Sequence, residues 1–392
     1  MASKILRKME VLNGFIQIPV DSRMELIGSM PLPFSTVLNG NPARFDARGR
    51  LWSSYLRNRF PVGTEVTISK VENGYEVKSQ TKEQEHIIID VKPQEIIAPI
   101  SSDLNITDVW SRILEGDCLK YLSDDSIGNI SLTYFDPPYR QGKDYRFFDD
   151  SQPIEKYWGW ISDILHKVYD ATVDGGAIYF MQREKNTERV LRVLRKTGWK
   201  FQNLIIWKKK TSAVPVMTRF SKQYQIVAYA IKGNAPRVFN KLRINPPPLP
   251  EHKYEHENGV YLTDVWDDIR ELTSGYFAGD EAIRDNLGNR AHVQQSPVAL
   301  LLRIILSSTM PRDVVLDPLA GTGTALVVAK QLDRNSIGIE IDPDNVAIIK
   351  RRLNFLRPSD NVSRFFDYYQ FTHNLKEIWQ LKGISTEQKR LI

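Results

Sequence analysis

The chain has 392 residues, 42% of them hydrophobic and 26% charged, with a formal net charge of +6. That length exceeds one ordinary core, so two or three domains are expected, and the composition excludes a disordered chain. No apolar run approaches the roughly 18 residues of a membrane span. The single cysteine, Cys118, excludes an internal disulfide framework and a multi-cysteine zinc site, and it suits a reducing cytoplasm.

The N-terminal "MASKILRKMEVLNGF" has basic residues but neither a continuous apolar segment nor a small-residue cleavage site, so no secretory signal is expected. Residues 1–97 read as a β-rich accessory domain. Two alternating runs flank Asn73-Gly74 in "VTISKVENGYEVKS", which predicts a hairpin. Before it, Arg44, Arg48, Arg50, Arg57 and Arg59 are interleaved with Phe45, Trp52, Tyr55 and Phe60. Leu51 with Tyr55 and Trp52 with Leu56 fit one helical face, which makes those aromatics core residues. The arginines are open to nucleic-acid contact or plain solvation. "YEVK" offers an E-x-K without a partner acid, so an accessory DNA-binding role is preferred to a nuclease.

"KPQEIIAPISSDLN" (92–105) reads as a linker. Beyond it, apolar strands alternate with amphipathic helices: "NISLTYF", "YWGWISDILHKVYDAT", "GGAIYFMQ", "NTERVLRVLRKTG" and "FQNLIIWKKK". This predicts an α/β domain with a largely parallel sheet covered on both faces. The pattern breaks over 233–290 and returns with "SPVALLLRIILSST", "DVVLD", "GTALVVAKQL" and "SIGIEI". The expected divisions are 98–232, 233–290 and 291–358, followed by an extension, 359–392. There "SRFFDYYQFTHNLKEIWQL" reads as an amphipathic helix that packs on the domain or pairs with another copy.

Charge is unevenly distributed. From Lys208 to Pro250 there are nine Lys or Arg and no Asp or Glu; that stretch carries +9 against a total of +6 and leaves the rest at −3. Such a surface attracts phosphates. Lys208, Lys209, Lys210, Arg219, Lys222, Arg237, Lys241 and Arg243 are therefore the candidate phosphate-binding residues. His252 and His256 have a metal-compatible spacing, but their surroundings favour a solvated loop and no metal site is expected.

Two constellations carry chemistry. In "DVVLDPLAGTGTALVVAKQLDRNSIGIEID" (313–342) a strand ends at Asp317, and Gly321 and Gly323 make a sharp turn at a helix N-terminus. Glu340 then ends a second strand, about 20 residues on, where an acid meets ribose hydroxyls. Leu326 occupies the third glycine position of a dinucleotide loop, and Asp317 would repel a pyrophosphate. An acidic strand end suits a cationic amine, so the loop favours S-adenosylmethionine over NAD. In "NISLTYFDPPYRQG" (129–142) Asp136 and the Pro137 carbonyl are two acceptors, stiffened by Pro137 and Pro138. They suit the two protons of an exocyclic amino group, whose lone pair they free for attack on a methyl sulfonium. Tyr139 would stack on a base that has left its helix.

At these residues the chain resembles the amino-methyltransferases of DNA: "DPPY" looks like their catalytic motif and "DPLAGTGTA" like their donor-binding loop. The catalytic motif comes first, the order of the circularly permuted β class. The resemblance spans roughly 106–358. It implies a Rossmann-like methyltransferase sheet with a catalytic half at 98–232, a donor-binding half at 291–358 and the target recognition region at 233–290; the basic stretch is then a DNA-binding surface, with Asn240, Arg243, Asn245 and Arg270 as unranked candidate base readers. "EGDCLKYL" places Asp117 near the donor's adenine. "NRAHVQQSPVALLLRIILSST" is similar to the family's HPTQKP helix, so His292, Gln295 and Pro297 are assigned to the donor's methionine end with Asp317, Gly321, Thr322 and Gly323. Ser296 replaces the usual lysine and Gln294 the usual threonine, while Gln225 stands where an acid is common.

The implied function is transfer of a methyl group from S-adenosylmethionine to adenine N6 in a specific duplex sequence, within a restriction-modification system. Asp in place of Ser at the first motif position favours adenine over cytosine N4. The alternatives left open are cytosine-N4 methylation and a non-catalytic DNA-binding regulator on the same scaffold. The partners to be looked for are double-stranded DNA, a second copy of the chain and a cognate restriction endonuclease.

Overall fold

The computed structural model describes residues 2–7, 10–11, 14–56, 60, 63–79, 109–124, 126–210, 217–245, 258–272, 280–284 and 295–380. The chain divides into two compact units. One holds Met1–Gln94, Gln141–Ser151 and Arg284–Asn289; the other holds Glu95–Arg140, Gln152–Ile283 and Arg290–Ile392. The expected linker over 92–105 lies outside the described residues, as do Arg57 and Arg59.

In the first unit a seven-stranded sheet runs in the order Ala2–Ile5, Glu65–Val71, Gly74–Ser79, Phe34–Leu38, Asn41–Phe45, Arg50–Trp52, Phe15–Gln17. The hairpin at Asn73-Gly74 forms, with Val71 opposite Gly74. The helical face expected through 51–56 does not. Arg50–Trp52 is a strand paired with Phe15–Gln17 and with Arg44 and Phe45, and only Ser54–Leu56 turns as a 3-10 helix. The cause is Asp46, whose Oδ1 accepts from the Arg48 and Arg50 amides while Oδ2 accepts from Arg50 Nε and Trp52 Nε1. That carboxylate sets a tight turn, and the sheet pairing it permits overrides a four-residue spacing. Residues 141–151, expected in the catalytic half, cluster with this unit, where Arg44 Nη2 donates to the Gly142 carbonyl at 2.5 Å.

The second unit is built on one eight-stranded sheet. Its strands are β1 (Ser111–Glu115), β2 (Ile130–Phe135), β3 (Thr172–Arg183), β4 (Lys200–Lys208), β5 (Tyr224–Ile231), β6 (Val265–Trp266), β7 (Val314–Asp317) and β8 (Asn335–Glu340). The spatial order is β6-β4-β5-β3-β2-β7-β8-β1. Strand β5 runs antiparallel to both neighbours, and the remaining neighbours are parallel. All six residues of β2 are buried, as expected of a central strand covered on both faces. Leu132 and Tyr134 join one core cluster with Val298, Leu301 and Ile305 of the helix Val298–Ser308, while Phe135 meets Phe180 at 4.9 Å between ring centroids.

Leu326, at the place of a third glycine, is fully buried in the helix Thr324–Gln331. The close approach of helix to strand is supplied from the other side: a Cβ added to Gly338 of β8 would stand 2.7 Å from Leu326 Cδ2. The extension does not form one amphipathic helix. It breaks into the 3-10 turns Pro358–Asp360, Val362–Phe365 and Asp367–Tyr369 and the short helix Leu375–Trp379, bounded by Asn374 and Gln380 at positive φ. It packs on the domain, with Tyr369 and Trp379 buried in the core and Arg334 Nη1 donating to the Ile378 carbonyl at 2.5 Å. Among the described residues no helix is long and apolar enough to cross a membrane.

Candidate active site

Strands β2 and β7 are parallel neighbours, with Leu132 opposite Val315 and Thr133 opposite Leu316. Their carboxyl ends therefore emerge at one edge, where β2 delivers Asp136 and β7 delivers Asp317. Sequence separation of the two motifs is irrelevant once the sheet makes them neighbours.

Asp136 meets three hydroxyls. Tyr139 Oη donates to Oδ1, while Ser296 Oγ, at 3.1 Å, and Tyr134 Oη, at 3.3 Å, both lie within hydrogen-bond distance of Oδ2. Tyr134 and Ser296 are also 2.8 Å apart, and since each hydroxyl has one proton, one donates to the other and the pair keeps a single proton for Oδ2. Burial pushes the Asp136 carboxyl up to about 6, against the hydrogen bonds from Tyr139, Ser296 and Tyr134 and the charge of Lys209, all of which pull it down. Tyr139, expected as a stacking platform, is 3% exposed and bound through its hydroxyl to the carboxylate. Behind the motif the fully buried Tyr157 donates to the Pro138 carbonyl at 2.6 Å and accepts from Gln182 Nε2 at 2.9 Å. That chain of hydrogen bonds fixes the turn from the core side.

In the glycine-rich turn after β7, Gly323 is the left-handed N-cap of the helix Thr324–Gln331, with φ +77°, and Gly321 has φ +53°. Glu340 ties this loop to the next helix, Pro343–Asn354: Oε2 accepts from Gly321 N at 2.7 Å and Oε1 from Asp342 N at 2.9 Å. Burial raises the Asp317 carboxyl well above its usual range, a hydrogen bond from Leu319 N opposes this, and the charges of Asp136 and Glu340 add to the rise. Burial likewise raises Glu340. Three recessed carboxylates that repel one another fit a cationic ligand and would reject a pyrophosphate. Asp117, exposed, caps the helix Cys118–Tyr121 by accepting from Leu119 N at 2.9 Å, beside Glu340, whose carbonyl accepts from Gly116 N.

Other expected contacts are turned elsewhere. Thr322 is buried, its carbonyl held by Arg352 Nη1 at 2.6 Å. Gln295 is also buried, with Oε1 accepting from Ile283 N and Nε2 donating to the Glu281 carbonyl, so both ends of its amide serve as a clip. Pro297 caps the helix Val298–Ser308. His292, Gln294, His252 and His256 lie outside the described residues.

The basic stretch is divided by topology. Strand β4 ends and β5 begins at the carboxyl edge of the sheet, so Lys208, Lys209, Lys210, Arg219 and Lys222 lie on the connection at the Asp136 end. Lys208, Lys210 and Arg219 are exposed, while Lys222 pairs with Glu184 at 2.6 Å. Lys209 is half-buried, and burial lowers its ammonium against the charges of Glu271 and Asp136, which raise it. It belongs to the site rather than to an open phosphate surface.

Strand β5 ends at the opposite edge, and the segment beyond it departs from expectation. Arg237 pairs with Asp313, just before β7, and its amide bonds the Gly175 carbonyl. Asn240 caps the far end of the helix Val298–Ser308 through the Leu306 and Thr309 carbonyls, which removes it as a base reader. Lys241 comes next, exposed, and Arg243 lies over the Tyr261 ring at 4.3 Å. Arg237, Lys241 and Asn240 thus belong to the edge away from Asp136, because one strand separates them from Lys208. Within the expected recognition region, residues 246–257, 273–279 and 285–290 lie outside the described residues.

Tyr134, Tyr157 and Lys209 are the site residues with the weakest sequence signals. Tyr134 had one, since it precedes Asp136 by two and shares its face of the strand. Lys209 stood out only as one charge in a basic run. Tyr157 had no signal, being one aromatic among several on an amphipathic helix.

A family model described as DNA methylase matches residues 130–351. The type II methyltransferase M.HinfI of Haemophilus influenzae is 30% identical over 275 residues, covering 66% of this chain and 72% of its own. The DNA adenine methyltransferase YhdJ of Escherichia coli (strain K12) is 27% identical over 259 residues, 62% of this chain and 82% of its own. Among solved structures, the M1.HpyAVI-SAM complex is 21% identical and covers 62% of this chain and 99% of that one, with a TM-score of 0.43.

Proposed function

This chain belongs to the DNA methylase family, and we propose that it transfers a methyl group from S-adenosylmethionine to N6 of adenine in duplex DNA. The observation that carries the reading is the emergence of Asp136 and Asp317 from adjacent parallel strands, one for the accepting nitrogen and one for the donor. The relatives support it: M.HinfI is a type II methyltransferase and YhdJ a DNA adenine methyltransferase.

The donor supplies a methyl group on a sulfonium, whose bonding pair returns to sulfur as a neutral thioether. The chain does the rest. Asp317 and the Gly321–Gly323 turn hold the methionine end, Glu340 the ribose and Asp117 the adenine. Asp136 and the Pro137 carbonyl accept the two amino protons of the target, which frees the nitrogen lone pair for attack. The proton displaced by methylation passes to Asp136, whose carboxyl near 6 can hand it to solvent at neutral pH. For Tyr139 to stack on the base its ring must leave the Asp136 hydrogen bond, so base entry and release of that oxygen are coupled. Lys208, Lys210 and Arg219 contact phosphates beside the site.

Nucleoside analysis tests this on DNA from a host without its own methylation, incubated with donor and either the parent or Asp136→Ala. N6-methyladenine with the parent alone is expected; N4-methylcytosine would overturn the base assignment, and no product would leave the regulator reading. Membership of a restriction-modification system, with a partner endonuclease and a homodimer, belongs to the same proposal. Sedimentation of the chain and cleavage protection of the methylated DNA test it.

A further inference from the structure

The carboxylate of Asp136 is held asymmetrically. Oδ2 lies against Ser296 Oγ at 3.1 Å and Tyr134 Oη at 3.3 Å, and those two hydroxyls are joined at 2.8 Å. Oδ1 has the Tyr139 hydroxyl, which comes from the turn of the motif itself. Tyr134 is 3% exposed on a central strand, and burial keeps its phenol protonated and able to donate. Ser296 is placed just as firmly, although it lies between strands and helices. Its neighbour Gln295 is clipped at both ends of its amide to residues 281 and 283. On its other side Glu281 accepts from Val298 N, and Arg364 Nη2 holds Glu281 at 3.0 Å. A serine at a loop end with this much support is a placed group rather than a solvated one.

We propose that Ser296 is a positioning residue for methyl transfer: with Tyr134 it fixes Oδ2 of Asp136, so that Oδ1 alone is presented to the target amino group once Tyr139 withdraws. This rests on the methyltransferase reading above. A carboxylate free to rotate would offer either oxygen at variable angle, and the target's lone pair would be aimed less often at the methyl carbon. A hydroxyl donor on Oδ2 also favours the ionised acceptor over the neutral acid. The other groups facing Asp136 are Tyr139 from its own turn, Lys209 after β4 and Asp317 at the end of β7; Lys209 acts in the same sense as Ser296 and Asp317 in the opposite one.

The experiment compares the parent with Ser296→Ala and Ser296→Thr, with two readouts. The first is the titration of the Asp136 carboxyl followed by carbon-13 magnetic resonance on aspartate-labelled protein, assigned by difference from Asp136→Asn. The second is the pH profile of single-turnover methylation of unmethylated DNA. Ser296→Ala should move the Asp136 midpoint up by about one pH unit, a tenfold change in proton affinity. It should slow methylation about tenfold at neutral pH, leave the dissociation constant of S-adenosylmethionine within twofold, and be restored by Ser296→Thr. An unmoved midpoint in Ser296→Ala overturns the proposal whether or not the protein methylates DNA. A slowed enzyme that Ser296→Thr fails to restore, with the midpoint unchanged, assigns Ser296 to structure alone. A parent that methylates no DNA but shows the Ser296-dependent midpoint retains the Asp136–Ser296 coupling and counts against the reaction instead.

Discussion

Thr133 and Leu316 face each other across a parallel strand pair, and that single register places Asp136 and Asp317 at one edge of the sheet. A motif met early in the chain and a loop met much later become two sides of one site. The permuted order of the motifs costs nothing because strand neighbours, not chain neighbours, set the geometry.

Replacing Asp136 by Asn keeps the shape of the site but exchanges one acceptor for a donor. Methylation should fall about 10²- to 10⁴-fold, while donor affinity changes by no more than a few-fold. Single-turnover rates together with equilibrium dialysis of the donor check this. Loss of donor binding in step with rate would show that Asp136 serves the donor instead.

The acidic trio gives a pH dependence with a defined sign. Asp136 is raised from its ordinary 3.8 to about 6, so between those values the folded protein binds more protons than the unfolded chain. Stability of the free protein from this group therefore falls as pH rises through that window. Asp317 and Glu340, raised by burial, act in the same direction. A cationic donor reverses the preference, because it favours the ionised carboxylates. Its affinity should fall as pH drops from about 7 to about 5, and binding near pH 6 should release protons. Calorimetry in buffers of different ionisation enthalpy reads that release, and proton uptake would contradict it.

Gly323 cannot accept a side chain without strain. Its φ is +77°, and an added Cβ would lie 2.8 Å from Ile349 Cγ1 and 2.9 Å from Cγ2 in the helix after β8. Gly323→Ala should cost about 1–3 kcal/mol of stability. It should also weaken donor binding, since the donor loop must shift to relieve the contact. Urea unfolding and donor titration are the two measurements, and a variant of parental stability would show that the loop relaxes freely.

Arg303 is a buried cation that joins the insert to the C-terminal extension. Its Nη1 reaches Asp268 Oδ1 at 2.9 Å and its Nε reaches Tyr369 Oη at 3.1 Å, with the Trp266 ring 5.1 Å away. Burial would raise the Asp268 carboxyl, but the hydrogen bonds and charge of Arg303 hold it below its usual value. Removing the cation leaves that carboxylate without its counter-charge, held by the Tyr368 hydroxyl at 2.8 Å, so Arg303→Met should destabilise by about 3–5 kcal/mol. The shift in the urea midpoint measures it; a change under about 1 kcal/mol would show that Asp268 finds water at once.

The topology separates basic residues that lie together in the chain. Alanine at Lys208, Lys210 or Arg219 should weaken DNA binding and lower the slope of log affinity against log salt by about one for each phosphate no longer neutralised. Arg237→Ala and Lys241→Ala, at the opposite edge, should leave that slope unchanged. Fluorescence anisotropy across a salt series decides it. Equal effects at both edges would mean that DNA reaches around the sheet.

Strands β2, β3, β4, β7 and β8, the helices between them and the two strand ends that bear acids were legible along the chain. Those are local facts: an apolar run, a proline that ends it, a glycine that turns the chain and a carboxylate left at the edge. The family was legible too, because both motifs are intact. Other features answered to tertiary structure. The segment 50–56 became a strand and a turn because Asp46 and sheet pairing outweigh a helical spacing. Tyr139 turned its hydroxyl to Asp136, Gln295 became a clip, and Arg237 fell on the far edge, since partners elsewhere in the fold decide each of these. Ser296 shows the division most clearly. In the chain it is one substitution in a helix-leading motif, and only the meeting of that segment with β2 makes it a hydrogen-bond donor to Asp136. Backbone pattern is written in neighbouring residues, whereas the direction of a hydrogen bond depends on which distant groups burial has left needing a partner.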